Sequence, residues 1–145
     1  MGNPVTGSMI TADEQFQGAS LRLQDAVARA KELGGASKTE CTCEALAFNL
    51  ERAAWAALEL AQAWVFEQRL GIPRKETESF DLLVAQGLLE VDTARRYRQI
   101  CEFRSLSARD PKRVDWDYIS GDLSVELELL IQWDERVRSR DRGSL

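Results

Sequence analysis

The run Ala53–Val65, AAWAALELAQAWV, is apolar at every position except Glu59 and Gln62. A helix that apolar on several sides sits in the middle of a bundle, or also faces a second subunit. The spacing extends beyond the run. Leu46, Leu50, Ala53, Ala57, Leu60 and Trp64 alternate by four and three along one stripe. Ser37-x-x-Glu40 reads as a capping box that starts the helix, and Gly71 followed by Pro73 stops it. The predicted helix covers about Lys38 to Leu70, roughly 50 Å at 1.5 Å per residue.

The rest of the chain supplies helices to pack around it. Thr11-x-x-Glu14 is another capping box and opens a first helix, with Phe16, Leu23, Val27, Ala30 and Leu33 at helical spacing and Gly34-Gly35 at its end. A short helix is predicted from about Lys75 to Gln86, with Phe80, Leu82, Leu83 and Leu88 in the core and Gly87 as its stop. A fourth starts near Asp92 as N-cap, turns Ala94, Tyr97, Ile100 and Cys101 inward, and fades around Leu106–Ala108, before Pro111. Asp115 caps the last helix, Trp116 to about Arg138, whose apolar stripe is Ile119, Leu123, Leu127, Leu130 and Val137. Arg136, Arg138 and Arg140 at its end oppose the helix dipole and need no functional role. No segment alternates with period two and no repeat is found. The fold class is therefore all-α: an up-down bundle of four longer helices plus one short helix, as one domain over residues 11–140. Residues 1–10 read as a flexible leader and 141–145 as a tail.

Much chemistry is excluded by what the residues are. The chain has no histidine, which removes the commonest general base, the imidazole metal ligand and every Ser-His or Cys-His nucleophile. Cys41-x-Cys43 has only Cys101 to join it, too few ligands for a metal site. An odd cysteine count without a secretory signal fits reduced thiols and a cytoplasmic protein. No Gly-rich phosphate loop occurs, so no cofactor or metal is expected. The pairs Asp115/Asp117 and Glu126/Glu128 fall on different helix faces and read as caps and solvated surface. Trp55, Trp64, Trp116 and Trp133 lie at core or interface positions. No run of 18 apolar residues exists, so no membrane partner is expected.

One stretch breaks the charge pattern of this acidic chain. Arg95, Arg96, Arg98, Arg104, Arg109, Lys112 and Arg113 face only Glu102 and Asp110. That is +5 in a chain of net charge −5, leaving −10 elsewhere. A solvated helix face with a basic loop explains it; so does an anion-binding surface for a ligand such as RNA.

The order and spacing of three motifs carry a resemblance. After the long Ala/Leu-rich helix come Leu70-Gly71-Ile72-Pro73, then Glu78-Ser79-Phe80-Asp81-Leu82-Leu83, then Gly87-Leu88-Leu89. Over about Leu46 to Val137 the chain resembles the HepT-like branch of the HEPN superfamily. The resemblance implies a helical bundle that forms a homodimer. It also implies a toxin–antitoxin or nucleotidyltransferase-associated setting, with a small nucleotidyltransferase as partner. The family motif is Phe-Arg-Asn, three residues, His, one residue and often Tyr. Here Phe103 and Arg104 match, while Ser105 stands for Asn, Arg109 for His and Pro111 for Tyr. In the family, Arg and His from two protomers promote attack of an RNA 2′-hydroxyl on the adjacent phosphate without metal. Arg109 supplies charge but stays protonated and is no base. The Tyr that family antitoxins adenylylate is absent.

Three readings follow, the third being a purely structural dimer with no nucleic-acid role. In the first the protein is catalytically degenerate, an RNA- or nucleotidyltransferase-binding module in which Arg104 and Arg109, flanked by Lys112 and Arg113, contact phosphate. In the second it is an active metal-independent endoribonuclease using Arg104 and Arg109 as a catalytic arginine pair, with water or Asp110 taking the proton.

Overall fold

The structure, a computed structural model, describes residues 11–36, 39–109 and 116–143, with side chains for 11–36, 39, 41–102 and 123–141. The elements are α1 (Ala12–Gly34), α2 (Glu40–Glu67), α3 (Glu78–Ala85), α4 (Val91–Arg109), α5 (Trp116–Arg138) and the single turn α6 (Arg140–Gly143). No strand occurs among the described residues. Four long helices and one short one form the expected all-α up-down bundle.

The start of α1 is as read. The Thr11 hydroxyl accepts the Glu14 N–H at 3.1 Å, and the Glu14 carboxylate accepts the Thr11 N–H at 3.4 Å. The start of α2 is not. Its N-cap is Thr39, reciprocally bonded to Thr42, so the helix begins two residues later than the Ser37 box suggested. Ser37 itself lies outside the described residues.

α2 is the hub, packed against α1, α3, α4 and α5. Ala53, Ala54, Ala56, Ala57, Leu58, Leu60, Ala61, Ala63, Trp64 and Val65 are all buried, which is the middle-of-the-bundle arrangement its sequence allowed. Its end differs from expectation. The Leu70 N–H reaches the Val65 carbonyl and the Arg69 N–H reaches that of Phe66, both at 3.1 Å. This is a Schellman cap with Arg69, at φ 55°, in the left-handed position. Gly71, at φ 109°, lies two residues beyond that cap and is not part of it. α3 closes by the same motif with the residue that suits it, Gly87 at φ 76°. It starts at Glu78 rather than Lys75, because tight i+3 turns occupy the residues before it.

α4 begins one residue before the expected cap. The Glu90 carbonyl accepts the Ala94 N–H, which leaves Asp92 inside the first turn, paired with Arg95. α5 spans the expected residues; its proposed cap Asp115 and its Ile119 side chain lie outside those described.

Four rings form the centre. Trp133 lies 5.1 Å from Tyr97, 5.2 Å from Phe80 and 6.0 Å from Trp64, centroid to centroid. Its indole N–H donates to the Ala57 carbonyl at 3.0 Å. Trp64 and Trp133 are thus core residues, but Trp55 is half-exposed on the surface of α2. The Trp116 side chain is outside the described set.

The C-terminal arginines do more than oppose a dipole. Arg140 chelates Glu67 at 2.9 and 3.1 Å and lies 3.6 Å over the Phe16 ring, tying α6 to α1 and α2. Arg136 lies 4.9 Å over Trp64 and donates to the Leu88 carbonyl. Both contacts fasten the C-terminal segment to the rest of the bundle.

Candidate functional site

The helix that carries the basic stretch is α4. Ala94, Tyr97, Ile100 and Cys101 are buried along its inner stripe, while Arg95 and Arg96 are exposed and Arg98 is half-buried. The charge excess is smaller in space than along the chain. Arg95 pairs with Asp92, one turn earlier, and Arg98 pairs with both Asp81 of α3 and Glu102. Asp81 and Asp92 both lie before the sequence window in which the excess was counted. Arg98 therefore fastens α3 to α4, and its partners hold its guanidinium proton more tightly, the Glu102 hydrogen bond most of all.

Burial decides the chemistry of the inner stripe. Desolvation raises the Tyr97 hydroxyl above its ordinary value, against the opposing pull of Arg96 and Arg136. The Cys101 thiol, set 3.8 Å from the Ala54 carbonyl, is pushed up to about 12 by burial, with Glu102 adding to it. A thiol held neutral in this way is no nucleophile at neutral pH. Cys41 is exposed and Cys43 half-buried, and no metal-holding group exists among the described residues.

Arg104 and Arg109 both belong to α4. In helical register Arg104 sits seven residues beyond Tyr97 and continues the Ala94–Tyr97–Cys101 stripe by one turn. Arg109, five residues further, is rotated by about 140° from it, since each residue turns the helix by roughly 100°. One helix thus does not align the two positions on a single line. Lys112 and Arg113, with Asp110 and Pro111, fall outside the described residues. Near the start of α4, a cleft of about 470 Å³ is lined by Glu90, Thr93, Tyr97, Gln132 and Arg136. Its walls come from α4 with the loop before it and from α5, segments far apart in the chain, so no local pattern announces it.

A helical bundle whose fourth helix carries an arginine-bearing segment near its C-terminal end is the class of protein defined so far. Residues 23–137 match the ribonuclease HepT-like family, and the chain belongs to it. No curated protein matches the sequence. Solved structures share the fold. One is a toxin–antitoxin crystal structure with AMP-PNP, of which a chain superposes with a TM-score of 0.79 at 18% identity, covering 86% of this chain and 98% of that one. Another is a tri-AMPylated Shewanella oneidensis HEPN toxin in complex with MNT antitoxin, at TM-score 0.80 and 18% identity, covering 87% and 98%. At such identity the likeness is one of fold.

Proposed function

We propose that this chain is a catalytically degenerate HepT-like protein of a toxin–antitoxin or nucleotidyltransferase-associated system. It works as a cytoplasmic homodimer that binds a small nucleotidyltransferase, RNA, or both. One observation carries the reading: the chain has no histidine, and Arg109 stands where the family motif places one. A guanidinium stabilises a phosphate but accepts no proton near neutral pH. Arg104, Arg109, Lys112 and Arg113 then hold an RNA backbone without breaking it. The nucleotidyltransferase partner is supported by the similar fold of the HEPN toxin complexed with MNT antitoxin.

The test is incubation of the pure protein with tRNA and mRNA in the absence of metal. Binding that weakens steeply with salt, without cleavage, is the expected result. Cleavage that disappears in Arg104→Ala would overturn it in favour of a metal-independent endoribonuclease. There the arginine pair stabilises the developing phosphorane charge and water or Asp110 takes the proton.

A further inference from the structure

The cleft at the start of α4 holds polar groups that the fold does not use. Its volume of about 470 Å³ falls in the range of roughly 300 to 1,000 Å³ typical of small-ligand sites. Tyr97, on its wall, is 5% exposed, with its ring set 5.1 Å from Trp133 and 6.2 Å from Phe80 between centroids. The hydroxyl makes no hydrogen bond to any described residue. Unlike that of Ser79 it is not sealed off, because the cleft reaches it. A hydroxyl so placed is costly to the fold and spare for a ligand. Arg136 stands beside it, close enough for its charge to act on the phenol. Its guanidinium donates to the Leu88 carbonyl at 2.8 Å and lies 4.9 Å over Trp64. No described carboxylate pairs with it, in contrast to Arg95, Arg98, Arg138 and Arg140. The two contacts thus fix the planar fork without neutralising it, and most of its N–H donors remain.

We propose that this cleft binds a small monocarboxylate with an apolar body. Arg136 takes the carboxylate in its fork and the Tyr97 hydroxyl donates to the same group. Leu88 and Leu89, with the Tyr97 ring, line the space for the apolar part. The charges choose the class. Arg136 and Arg96 are the cations that act on Tyr97, and Glu90 is the one acid among the lining residues. Asp92, next in the chain, is taken by Arg95. Two cations against one acid balance a single negative charge and leave a phosphate dianion uncompensated. A cation is repelled by Arg136 at the back of the cleft. The family motif lies elsewhere. Arg104 is eleven residues beyond Thr93 of the cleft, about 16 Å along the same helix. The site therefore stands apart from RNA binding and from the nucleotidyltransferase.

Calorimetric titration of the full chain with phenylacetate and with hexanoate, in a buffer free of carboxylate and phosphate, tests the proposal. Saturable binding is expected, with a Kd of about 1 mM or tighter for ligands of roughly ten non-hydrogen atoms. Phenylacetamide, of the same shape without the charge, is expected to bind about tenfold more weakly. Tyr97→Phe keeps the ring and removes the donor, for a loss of about three- to tenfold. Arg136→Gln is expected to abolish measurable binding with unchanged helical circular dichroism. Glu90→Gln removes an opposing charge from the rim and is expected to tighten binding by about two- to fivefold, a gain that no loss of fold can mimic. Equal affinity for acid and amide, or affinities unchanged in both Tyr97→Phe and Glu90→Gln, overturns the site. No saturable binding of either acid overturns it outright. Saturation by inorganic phosphate and by neither acid overturns the carboxylate assignment in favour of a phosphate site.

Discussion

Asp134 is 1% exposed and accepts the Ser20 hydroxyl at 2.5 Å, across the α1–α5 contact. Gln24 at 3.2 Å and Arg138 at 3.0 Å complete its shell. A buried carboxylate is tolerated only when its acceptor capacity is met. Removing the hydroxyl leaves one oxygen short of its donor. Ser20→Ala is therefore expected to destabilise the fold by about 1 to 3 kcal/mol. The measurement is the urea midpoint at unchanged m-value. A shift within experimental error would show that water replaces the hydroxyl.

Ser79 makes the opposite case. It is fully buried on α3, and its hydroxyl has no hydrogen-bond partner. Ser79→Ala removes a desolvated polar atom and little volume. It is expected to be neutral or to stabilise by up to about 1 kcal/mol. A loss comparable to that of Ser20→Ala would reveal a bound water or ligand at this position.

Arg69 holds a left-handed conformation that costs a residue with a Cβ about 1 to 2 kcal/mol. Glycine escapes that cost but loses about 0.5 to 1 kcal/mol through its freer unfolded chain. Arg69→Gly is then expected to stabilise by about 0.5 to 1 kcal/mol, a rise in Tm of about 2 to 4 °C per kcal/mol. Thermal melts followed by circular dichroism at 222 nm decide it. A lower Tm would mean that the arginine side chain makes a contact worth more than the strain.

These cases mark what was legible. The ends of α5 and the Thr11 cap followed from local chemistry that nothing distant overrode. The start of α2 was misplaced because Thr39–Thr42 is a capping box without the acid that makes such boxes recognisable. The end of α2 was misplaced because arginine is intrinsically poor in the position that packing imposes on Arg69. Asp134 gave no signal, since its donors Ser20 and Gln24 lie on another helix. The charge of α4 was overcounted for the same reason: Asp81 reaches Arg98 from α3. Arg104 and Arg109 stood within the charge anomaly, but only the family motif singled them out from the other basic residues there.

Cys101 gives the fold an alkaline limit. Its ordinary value is 9.0 and burial pushes it up to about 12. Below the lower value the thiol is neutral in both states and its contribution is fully present. Between the two, the unfolded chain loses a proton that the folded chain retains, so stability falls as pH rises. Tyr97, also raised by burial, acts in the same direction. Cys101→Ala is expected to lose less stability than the wild type between about pH 9 and 11 in paired urea titrations. Equal slopes would assign the alkaline loss to other groups. In the native protein a thiol reagent at pH 8 should label exposed Cys41 well before Cys101.

The last prediction separates loss of a base from loss of a site. Arg109→His together with Ser105→Asn restores the family motif after Arg104. Imidazole titrates near neutral pH and so supplies the proton acceptor that guanidinium cannot. General base catalysis contributes about 10² to 10⁴-fold, so cleavage of an RNA bound by the parent chain is expected to emerge from background. It should depend on Arg104 and rise with pH through the imidazole range. Gel analysis of tRNA and mRNA, with chelator present, reads it out. If the rebuilt chain binds RNA and leaves it intact, the arrangement of the two protomers around the phosphate has changed along with the residues. If the parent chain already cleaves, the arginine pair is itself sufficient, and the degenerate reading fails.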